Sequence, residues 1–445
     1  MNRYLGYSLL GLAGTFALLS HAPLPRPDLK YERPVVVTAS PIEETVNEPP
    51  PAPIDTREVV YHTPLPEPVK AIYMTSCVAG TLNFRQRLVD LISTTEINSV
   101  IIDIKDYSGT ISFKPNSSSW LPAWQEARCG ARDMKEFIAE LHQYGIFVIG
   151  RITVFQDPFH APRFPHLAVK KADGETVWKD HKGLSFIDVA AREYWDHIIE
   201  LAVESYNLGF DELNFDYVRY PSDGNMRDIS FPHSAGSDWP NDKQANLEAF
   251  FSYLKTALDQ EERFAAVRHA NTGRSSSTPW TSVDLFGMTT TNFDDLSIGQ
   301  IQERAAPYFD FVAPMVYPSH YPNNYLGLGN PNHHPYKIVH HAMSSGVRRM
   351  TATTTPVAGF LHERLGTSTP PLYTKPAFGA DKLRTWIQDF DYGGDYDVAE
   401  VRAQIQASYD AGVNSWMLWA PSNIYTKGAL LGPEHSSSTS HNLAF

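Results

Sequence analysis

Between residues 69 and 419, short apolar runs alternate with longer stretches in which apolar residues recur at helical spacing. This alternation predicts a parallel sheet, because each helix returns the chain to the edge where the next parallel strand begins. The runs lie at 69–76, 97–106, 146–155, 209–221, 283–288, 309–317, 383–390 and 413–419. Eight units in about 360 residues predict an α/β fold, a (β/α)8 TIM barrel with long loop insertions. The alternative is a doubly wound open sheet, but no glycine-rich dinucleotide loop follows the first strand.

The two ends of the chain differ in composition from this body, which extends over residues 69–430. Residues 4–20 are uncharged and leucine-rich and precede a small-x-small cleavage site, so residues 1–22 predict a signal peptide or an N-terminal membrane anchor. Residues 23–68 are rich in proline and predict a disordered linker. Residues 431–445 predict a disordered tail. We therefore expect an exported body that is periplasmic, cell-surface or extracellular, either released or attached to the membrane through residues 4–20.

Charge and metal-binding residues narrow the choice of partners. The chain has 37 Lys and Arg against 50 Asp and Glu, a net charge of -13, which disfavours nucleic acid as a partner. Cys77 and Cys129 are the only cysteines, and a single disulfide and two buried thiols both remain open. The pairs His333-His334 and His340-His341 have no matching carboxylate pattern, so neither a metal nor another cofactor is expected.

Two stretches carry helix-start signals in the form of a capping box, in which an acidic residue precedes the first turn and a glutamate follows three positions later. They are Asp133 with Glu136 and Asp397 with Glu400. Both boxes predict that a helix begins at that point.

The fourth predicted strand contains the first candidate for chemistry. Leu213 and Phe215 alternate with Asn214 and Asp216, and in a strand these two sets point to opposite faces. The apolar set predicts contact with helices, so the polar set would face the barrel interior. A carboxylate in an interior is costly unless it is paired or used, which makes Asp216 a functional candidate.

Polar and aromatic residues concentrate where the predicted strands end, which is where TIM-barrel sites lie. The candidate catalytic residues are Asp103, Asp216 and Asp389, and the candidate substrate-binding residues are Lys105, Arg151, Asn214, Arg219, Tyr317, Trp386, Gln388 and Trp419. Glycosidic cleavage needs two carboxyl groups, one to protonate the leaving oxygen and one to act as nucleophile or base. Structural interpretations stay open, since the aspartates could pair with nearby basic residues or cap a loop, and the tryptophans could belong to the core.

Four motifs resemble a family of bacterial glycoside hydrolase domains: Ile102-Asp103-Ile104-Lys105-Asp106, the segment 209–221, the segment 383–390 and Trp416-Met417-Leu418-Trp419-Ala420-Pro421-Ser422-Asn423. The family is described as a barrel related to the α-amylase type. The resemblance covers nearly all of the folded body and implies a TIM barrel with a carbohydrate substrate. In α-amylase-like barrels the strand-four aspartate is the nucleophile, which by similarity falls on Asp216.

The chain departs from that pattern at the general acid. α-Amylase-like barrels use a glutamate after strand five, but Asp284-Leu285-Phe286-Gly287-Met288-Thr289 contains none. We therefore expect Asp389 or Asp103 to replace it. Strand four also loosely resembles the chitinase pattern, but the acid position is occupied by Val218, so substrate-assisted chitinase chemistry is not expected.

These observations predict an exported glycoside hydrolase that acts on a polysaccharide or oligosaccharide of the cell envelope or the surroundings. The missing strand-five glutamate supports an alternative, a non-catalytic carbohydrate-binding barrel. A metal-dependent polysaccharide deacetylase would need a cluster of His and Asp at one strand end, and the sequence shows none. The oligomeric state is left open.

Overall fold

The computed structural model describes residues 60–261 and 278–433. The predicted export segment, the linker up to residue 59 and the tail from residue 434 lie outside the described residues. Within those two ranges, no helix is long and apolar enough to cross a membrane.

Eight parallel strands close into a barrel in chain order, with the first strand paired to both the second and the eighth. The strands are β1 (Lys70–Met74), β2 (Ser99–Lys105), β3 (Phe147–Thr153), β4 (Glu212–Asp216), β5 (Trp280–Phe286), β6 (Phe311–Met315), β7 (Thr385–Gln388) and β8 (Trp416–Trp419). The predicted (β/α)8 barrel is therefore confirmed. Only β5 is clearly displaced, since it begins at Trp280 rather than at the apolar run 283–288.

Helices surround the barrel and join most of the strands. The longer ones are α1 (Leu82–Ser93), α2 (Met134–Gln143), α3 (Arg192–Leu208), α4 (Lys243–Asp259), α5 (Pro335–Thr351) and α6 (Val398–Asp410). Short helical turns lie at Ser76–Ala79, Leu121–Gln125, Pro232–Ala235 and Gln302–Ala305. A small antiparallel sheet lies between α5 and β7 in the chain. Its central strand is Tyr373–Thr374, and its edge strands are Thr354–Thr355 and Glu363–Arg364.

One of the two predicted capping boxes forms. Asp397 and Glu400 make reciprocal hydrogen bonds at the start of α6. Asp133 precedes α2 but accepts no hydrogen bond from its first turn, because its carboxylate is paired with Arg85, with Nη2 and Oδ2 2.6 Å apart. The predicted helix start at Asp133 is confirmed, since α2 begins at Met134. The capping box itself does not form, because a residue distant in sequence takes the oxygens that the cap requires.

The strands place polar and apolar side chains on opposite faces, as predicted from β4. Leu213 and Phe215 pack among the helices, whereas Asn214 and Asp216 face the interior. The interior also holds a separate apolar cluster, formed by Val69, Ala71, Tyr73, Ile101, Phe147, Ile149, Ala313, Tyr317, Trp386 and Met417. This cluster fills the middle of the barrel, so polar groups are left at its two ends.

A buried ion pair, the basal pair of Glu212 and Arg384, lies at the amino-terminal end of the interior. Arg384 Nη1 lies 2.7 Å from each carboxylate oxygen of Glu212, and both side chains are almost fully buried. The guanidinium carbon also lies 3.5 Å from the centre of the Phe311 ring. One positive charge thus meets one negative charge, which is how buried charges are usually accommodated.

Residues before position 69 also pack against the barrel, although the apolar periodicity predicted that the folded body begins at residue 69. His62 is buried, and its ring stacks on Tyr206 with centroids 4.1 Å apart. The backbone N–H of Thr63 donates to Asp211 Oδ1 at 2.7 Å. A histidine ring and a backbone amide make these contacts, so no apolar run in the sequence signals them.

Cys77 and Cys129 form a disulfide across 52 residues, which resolves the choice that the sequence left open. It joins the turn Ser76–Ala79, directly after β1, to the segment before α2. Closing a loop of this size constrains the unfolded chain and stabilises the fold by about 4 kcal/mol in the chain-entropy account.

Candidate active site at the carboxyl ends of the strands

A cavity of about 150 Å³ opens at the carboxyl ends of the strands. Its lining residues are Tyr73, Arg151, Asp216, Tyr217, Arg219, Asp284, Phe286, Met315, Tyr317, His320, Trp386 and Trp419. They come from every barrel strand except β2 or from the loops that follow those strands. This is the position at which TIM barrels carry their sites.

Arg151 lies at the centre of an ion-pair network beside the cavity. Its Nη1 lies 2.7 Å from Asp103 Oδ1, and its Nε lies 3.1 Å from Asp216 Oδ2, which also accepts from Nη2. The same Nε lies 3.8 Å from Asp284 Oδ2. The hydroxyl of Tyr73 donates a hydrogen bond to Oδ2 of Asp103. Three carboxyl groups therefore surround one guanidinium, and they cannot all be ionised without uncompensated charge.

Asp284 is the carboxyl group whose environment favours the protonated form. Its Oδ1 accepts hydrogen bonds from Asn214 Nδ2 at 2.9 Å and from Trp386 Nε1 at 2.8 Å. Its Oδ2 is buried and has no hydrogen-bond partner among the described residues. Burial, followed by the nearby charge of Asp216, raises the pKa of Asp284 to about 8. The group therefore carries a proton at neutral pH and can act as an acid.

The contacts of Arg151 set an upper limit on the separation of Asp216 and Asp284. Arg151 Nε lies 3.1 Å from one Oδ2 and 3.8 Å from the other, so the two oxygens are no farther apart than the sum of these distances, 6.9 Å. Retaining glycosidases hold their carboxyl groups about 5–5.5 Å apart and inverting ones about 6.5–9.5 Å. The pair is thus close enough for two-carboxylate chemistry.

Tyr217 lines the cavity, and its backbone leaves the extended conformation directly after β4. Its φ of 51° lies in the left-handed region, which bulky residues rarely adopt. Continued alternation would have placed the ring with Phe215 on the helix side. Instead, the ring centre lies 5.2 Å from the Arg219 guanidinium and 6.0 Å from that of Arg151. Such backbone conformations cost about 1–3 kcal/mol and are concentrated at functional sites.

Aromatic rings form one wall of the cavity. Tyr317 and Trp419 have centroids 4.9 Å apart and planes inclined at 34°. Phe390 packs edge-on against Trp419 at 5.0 Å and holds it from outside the cavity. Trp419 is only half-buried, so part of its ring is available to a ligand. A ring with an apolar face suits the apolar face of a sugar.

The structure brings most of the predicted site residues together. Those that line the cavity are Arg151, Asp216, Arg219, Tyr317, Trp386 and Trp419. Asp103 and Asn214 lie just behind it, where they bind Arg151 and Asp284 respectively.

Lys105 lies outside the cavity because of a β-bulge. Asp103 aligns with Arg151, but Lys105 aligns with Ile152, so the alternation of β2 is interrupted between them. The fully buried ammonium lies 3.0 Å from Asp157 and donates to the carbonyl of Thr153 at 2.7 Å. The structure therefore does not place Lys105 with the predicted substrate-binding residues, since no part of its side chain lines the cavity.

Asp389 and Gln388 also lie outside the cavity lining. The carboxylate of Asp389 accepts the backbone N–H of Thr426 at 2.9 Å and the hydroxyl of the same residue at 2.7 Å, which holds the loop after β8. The side-chain oxygen of Gln388 accepts the N–H of Ser319 at 3.2 Å and holds the loop after β6. Neither group lines the cavity beside Asp216, because both are committed to these loops.

Sequence reasoning missed Asp284, Tyr73 and Tyr217. A usable signal existed for Asp284, because Ser282 and Asp284 alternate with apolar neighbours just as the polar residues of β4 do. The predicted strand 283–288 left out Ser282, so the alternation of Ser282 and Asp284 was not visible within it. No local pattern indicated that Tyr73 contacts Asp103 or that Tyr217 adopts a left-handed backbone conformation.

The histidine pairs have ordinary contacts. His340 stacks on Tyr336 with centroids 5.6 Å apart, and His333 Nε2 lies 3.3 Å from the side-chain amide of Asn330. Over residues 60–261 and 278–433, no group of three or more His, Cys, Asp or Glu is placed to hold a metal ion.

Comparison with known proteins agrees with this geometry. The profile of a family described as "Putative glycosyl hydrolase domain" matches residues 71–425, which confirms the resemblance seen in the sequence. No curated protein matches the chain.

Two solved structures illustrate the likeness. A hypothetical protein from Ruminiclostridium thermocellum ATCC 27405 is 31% identical, with 42% of this chain and 93% of that chain covered and a TM-score of 0.36. The PgaB (BpsB) glycoside hydrolase domain from Bordetella bronchiseptica is 12% identical, with 79% of this chain and 93% of that chain covered and a TM-score of 0.51. At that identity, the second match shows a shared fold.

Proposed function

This chain belongs to the family described as a glycosyl hydrolase domain, and on that premise we propose that it hydrolyses glycosidic bonds of a polysaccharide outside the cytoplasm. Asp284 gives its proton to the glycosidic oxygen as the bond between that oxygen and the anomeric carbon breaks. Asp216 either attacks the anomeric carbon or takes a proton from the water that attacks it. In the net reaction, water supplies a hydroxyl to the anomeric carbon and a proton to the leaving sugar.

One observation carries this proposal: Asp284, with its pKa raised to about 8, lies beside Asp216 in an aromatic-lined cavity. Carboxyl groups whose environments differ in this way are typical of acid and base roles in one site. Asp284 therefore takes the acid role that the sequence suggested for Asp389 or Asp103.

The disulfide and the amino terminus support the proposed location. Disulfides persist mainly in oxidising compartments, and Cys77 and Cys129 are joined by one. The leucine-rich residues 4–20 would direct export and, if they are retained, attach the body to the membrane. The proposal places the enzyme in the periplasm, at the cell surface or outside the cell.

The alternative of a carbohydrate-binding barrel without catalysis also has a specific observation in its favour. Arg151 binds both Asp103 and Asp216, and an aspartate held by arginine can be purely structural. Under this alternative, the cavity would bind sugars without cleaving them.

Hydrolysis by the full-length protein tests the two functions. The protein is incubated with a panel of bacterial and plant polysaccharides, and the release of reducing ends is measured. Asp216→Asn and Asp284→Asn should each lower the rate at least about 100-fold, because each removes a group that moves a proton or attacks carbon. Asp389→Asn is the matched control, since it changes a buried aspartate at a strand end that does not line the cavity.

The outcomes separate the possibilities. Binding of a polysaccharide without release of reducing ends supports the non-catalytic barrel. Loss of activity in Asp389→Asn together with full activity in Asp284→Asn overturns the assignment of the acid. Thermal unfolding of each variant shows whether a lost rate reflects a lost fold.

A further inference from the structure

Arg219 is held in place at the cavity by its own loop. Its Nη1 donates to the carbonyl of Tyr220 at 3.1 Å and to the hydroxyl of Ser222 at 3.2 Å. Its guanidinium carbon lies 5.2 Å from the centre of the Tyr217 ring. The strained turn at Tyr217 therefore positions a second arginine beside the cavity, in addition to Arg151.

Arg219 differs from the other partly or fully buried arginines of the described residues, because it forms no ion pair. Each of the others pairs with an aspartate or glutamate; they are Arg85, Arg151, Arg304, Arg349, Arg384 and Arg402. Within the described part of the chain, Nε and Nη2 of Arg219 also have no hydrogen-bond partner. A half-buried guanidinium that lines a cavity and keeps two free donor groups is available to a ligand.

The charges around the cavity allow an anion to bind there. At neutral pH Asp284 is protonated, so the negative charges are those of Asp216 and Asp103, both of which contact Arg151, and that of Asp106 beside Asp103. Arg219 adds a positive charge that no acidic side chain within the described ranges offsets by direct contact. The guanidinium fork matches a planar carboxylate, which it can bind through two parallel hydrogen bonds.

We propose that the polysaccharide is acidic, and that Arg219 binds the carboxylate of a uronic acid residue next to the bond that is cleaved. This inference rests on the proposed function, because it assigns a substrate class to the same cavity. The carboxylate would bind Arg219, while the sugar ring packs on the wall formed by Tyr317 and Trp419.

Binding of matched oligosaccharides by the full-length protein tests the inference. The probes are hexasaccharides of galacturonate, alginate and hyaluronan, each compared with the same hexasaccharide after reduction of its carboxyl groups to alcohols. A sulfated glucan hexasaccharide tests whether a different anionic group is preferred. Dissociation constants are measured by calorimetry at low salt, and the release of reducing ends is followed in parallel.

At least one uronate hexasaccharide should bind tenfold or more tightly than its reduced form, as expected for loss of a hydrogen-bonded charge. Arg219→Gln should abolish this preference, and Arg219→Lys should retain part of it, because lysine keeps the charge but not the fork. Arg227→Gln is the matched control, since it removes an exposed arginine from the same loop and should leave the preference intact.

Several results would overturn the inference: equal binding of the acidic and reduced forms of all three uronate hexasaccharides, an unchanged preference in Arg219→Gln, an equal loss in Arg227→Gln, or no binding of any uronate probe. Preference for the sulfated probe alone would overturn the carboxylate assignment. An uronate preference without any release of reducing ends would contradict the proposed function and leave the inference standing. Cleavage of neutral polysaccharides at the same rate by wild type and Arg219→Gln would contradict the inference and leave the proposed function standing.

Discussion

The two ends of the barrel interior each hold buried charges, but they are arranged differently. At the amino-terminal end, the single negative charge of Glu212 is neutralised by the single positive charge of Arg384. Neither residue of this basal pair lines the cavity at the carboxyl ends of the strands. At the carboxyl end, Arg151 faces three carboxyl groups beside the cavity. Glu212 and Asp216 lie on the same face of the same strand, so the strand itself does not distinguish them.

The two ends differ in how the unfavourable free energy of burying charged groups is offset. The basal pair offsets it by mutual neutralisation, which is a structural solution. The carboxyl end has more acid than base, and burial raises the pKa of Asp284 to about 8 and that of Asp103 to about 6. An excess of carboxyl groups with raised pKa values beside a cavity indicates chemistry.

Breaking the basal pair should affect stability and not catalysis. Glu212→Gln leaves Arg384 buried without a counter-charge, so the free energy of unfolding should fall by about 3–5 kcal/mol. Urea unfolding measures this loss, and the rate of hydrolysis per folded molecule should stay unchanged. Replacing both partners with Glu212→Met and Arg384→Leu should recover most of the stability. A lower rate with unchanged stability would show that the basal pair belongs to the active site.

Catalysis should fall as the pH rises through about 8. The acid form of Asp284 is the active form, so kcat/KM should drop about tenfold per pH unit above its pKa. A pH–rate profile of the wild type measures this limb, and the residual activity of Asp284→Asn should lack it. An alkaline limb that persists in that variant would assign the titrating acid to another group.

Asp284 should stabilise the fold less as the pH rises, whereas a carboxylate with a lowered pKa stabilises it more. The folded pKa of Asp284 lies above its unfolded value, so its favourable contribution is complete below the unfolded pKa and is lost as the pH rises to about 8. Asp284→Asn should therefore become more stable relative to the wild type between pH 5 and pH 9, by at least about 1 kcal/mol. Thermal unfolding at both pH values measures the change. An equal difference at the two pH values would contradict the raised pKa.

The smallest effect is expected from Tyr73→Phe. This change removes one hydrogen bond to Asp103 and leaves the ring in place, so kcat/KM should fall by about three- to tenfold. Steady-state kinetics measures this loss. A drop as large as that of Asp216→Asn would move Asp103 from a supporting position to a catalytic one.

Much of the molecule could be predicted from local patterns. The alternation of Leu213 and Phe215 with Asn214 and Asp216 placed Asp216 in the interior, because successive strand residues point to opposite faces. The same argument would have found Asp284 if β5 had been extended back to Trp280. The capping box at Asp397 formed because its partners lie within one helical turn.

Other positions depended on contacts between residues far apart in sequence. The carboxylate of Asp133 pairs with Arg85, so it does not form the capping box that its local sequence indicated. The carboxylate of Asp389 accepts hydrogen bonds from Thr426 and lies outside the cavity lining. The bulge in β2 turned Lys105 toward Asp157. A one-residue irregularity is enough to reverse the face of every following side chain.

Local sequence patterns were enough to predict the order of strands and helices, the barrel and the strand ends at which the candidate site lies, since these follow from periodicities of two and 3.6 residues. Which carboxyl group accompanies Asp216 could not be read from those patterns, because it depends on how the strands come together. That choice depends on burial, on hydrogen bonds from Asn214 and Trp386, and on the field of Asp216 itself, all of which arise when β4, β5 and β7 meet inside the closed barrel. A pKa is set by the three-dimensional surroundings of a group, and a linear pattern does not contain them.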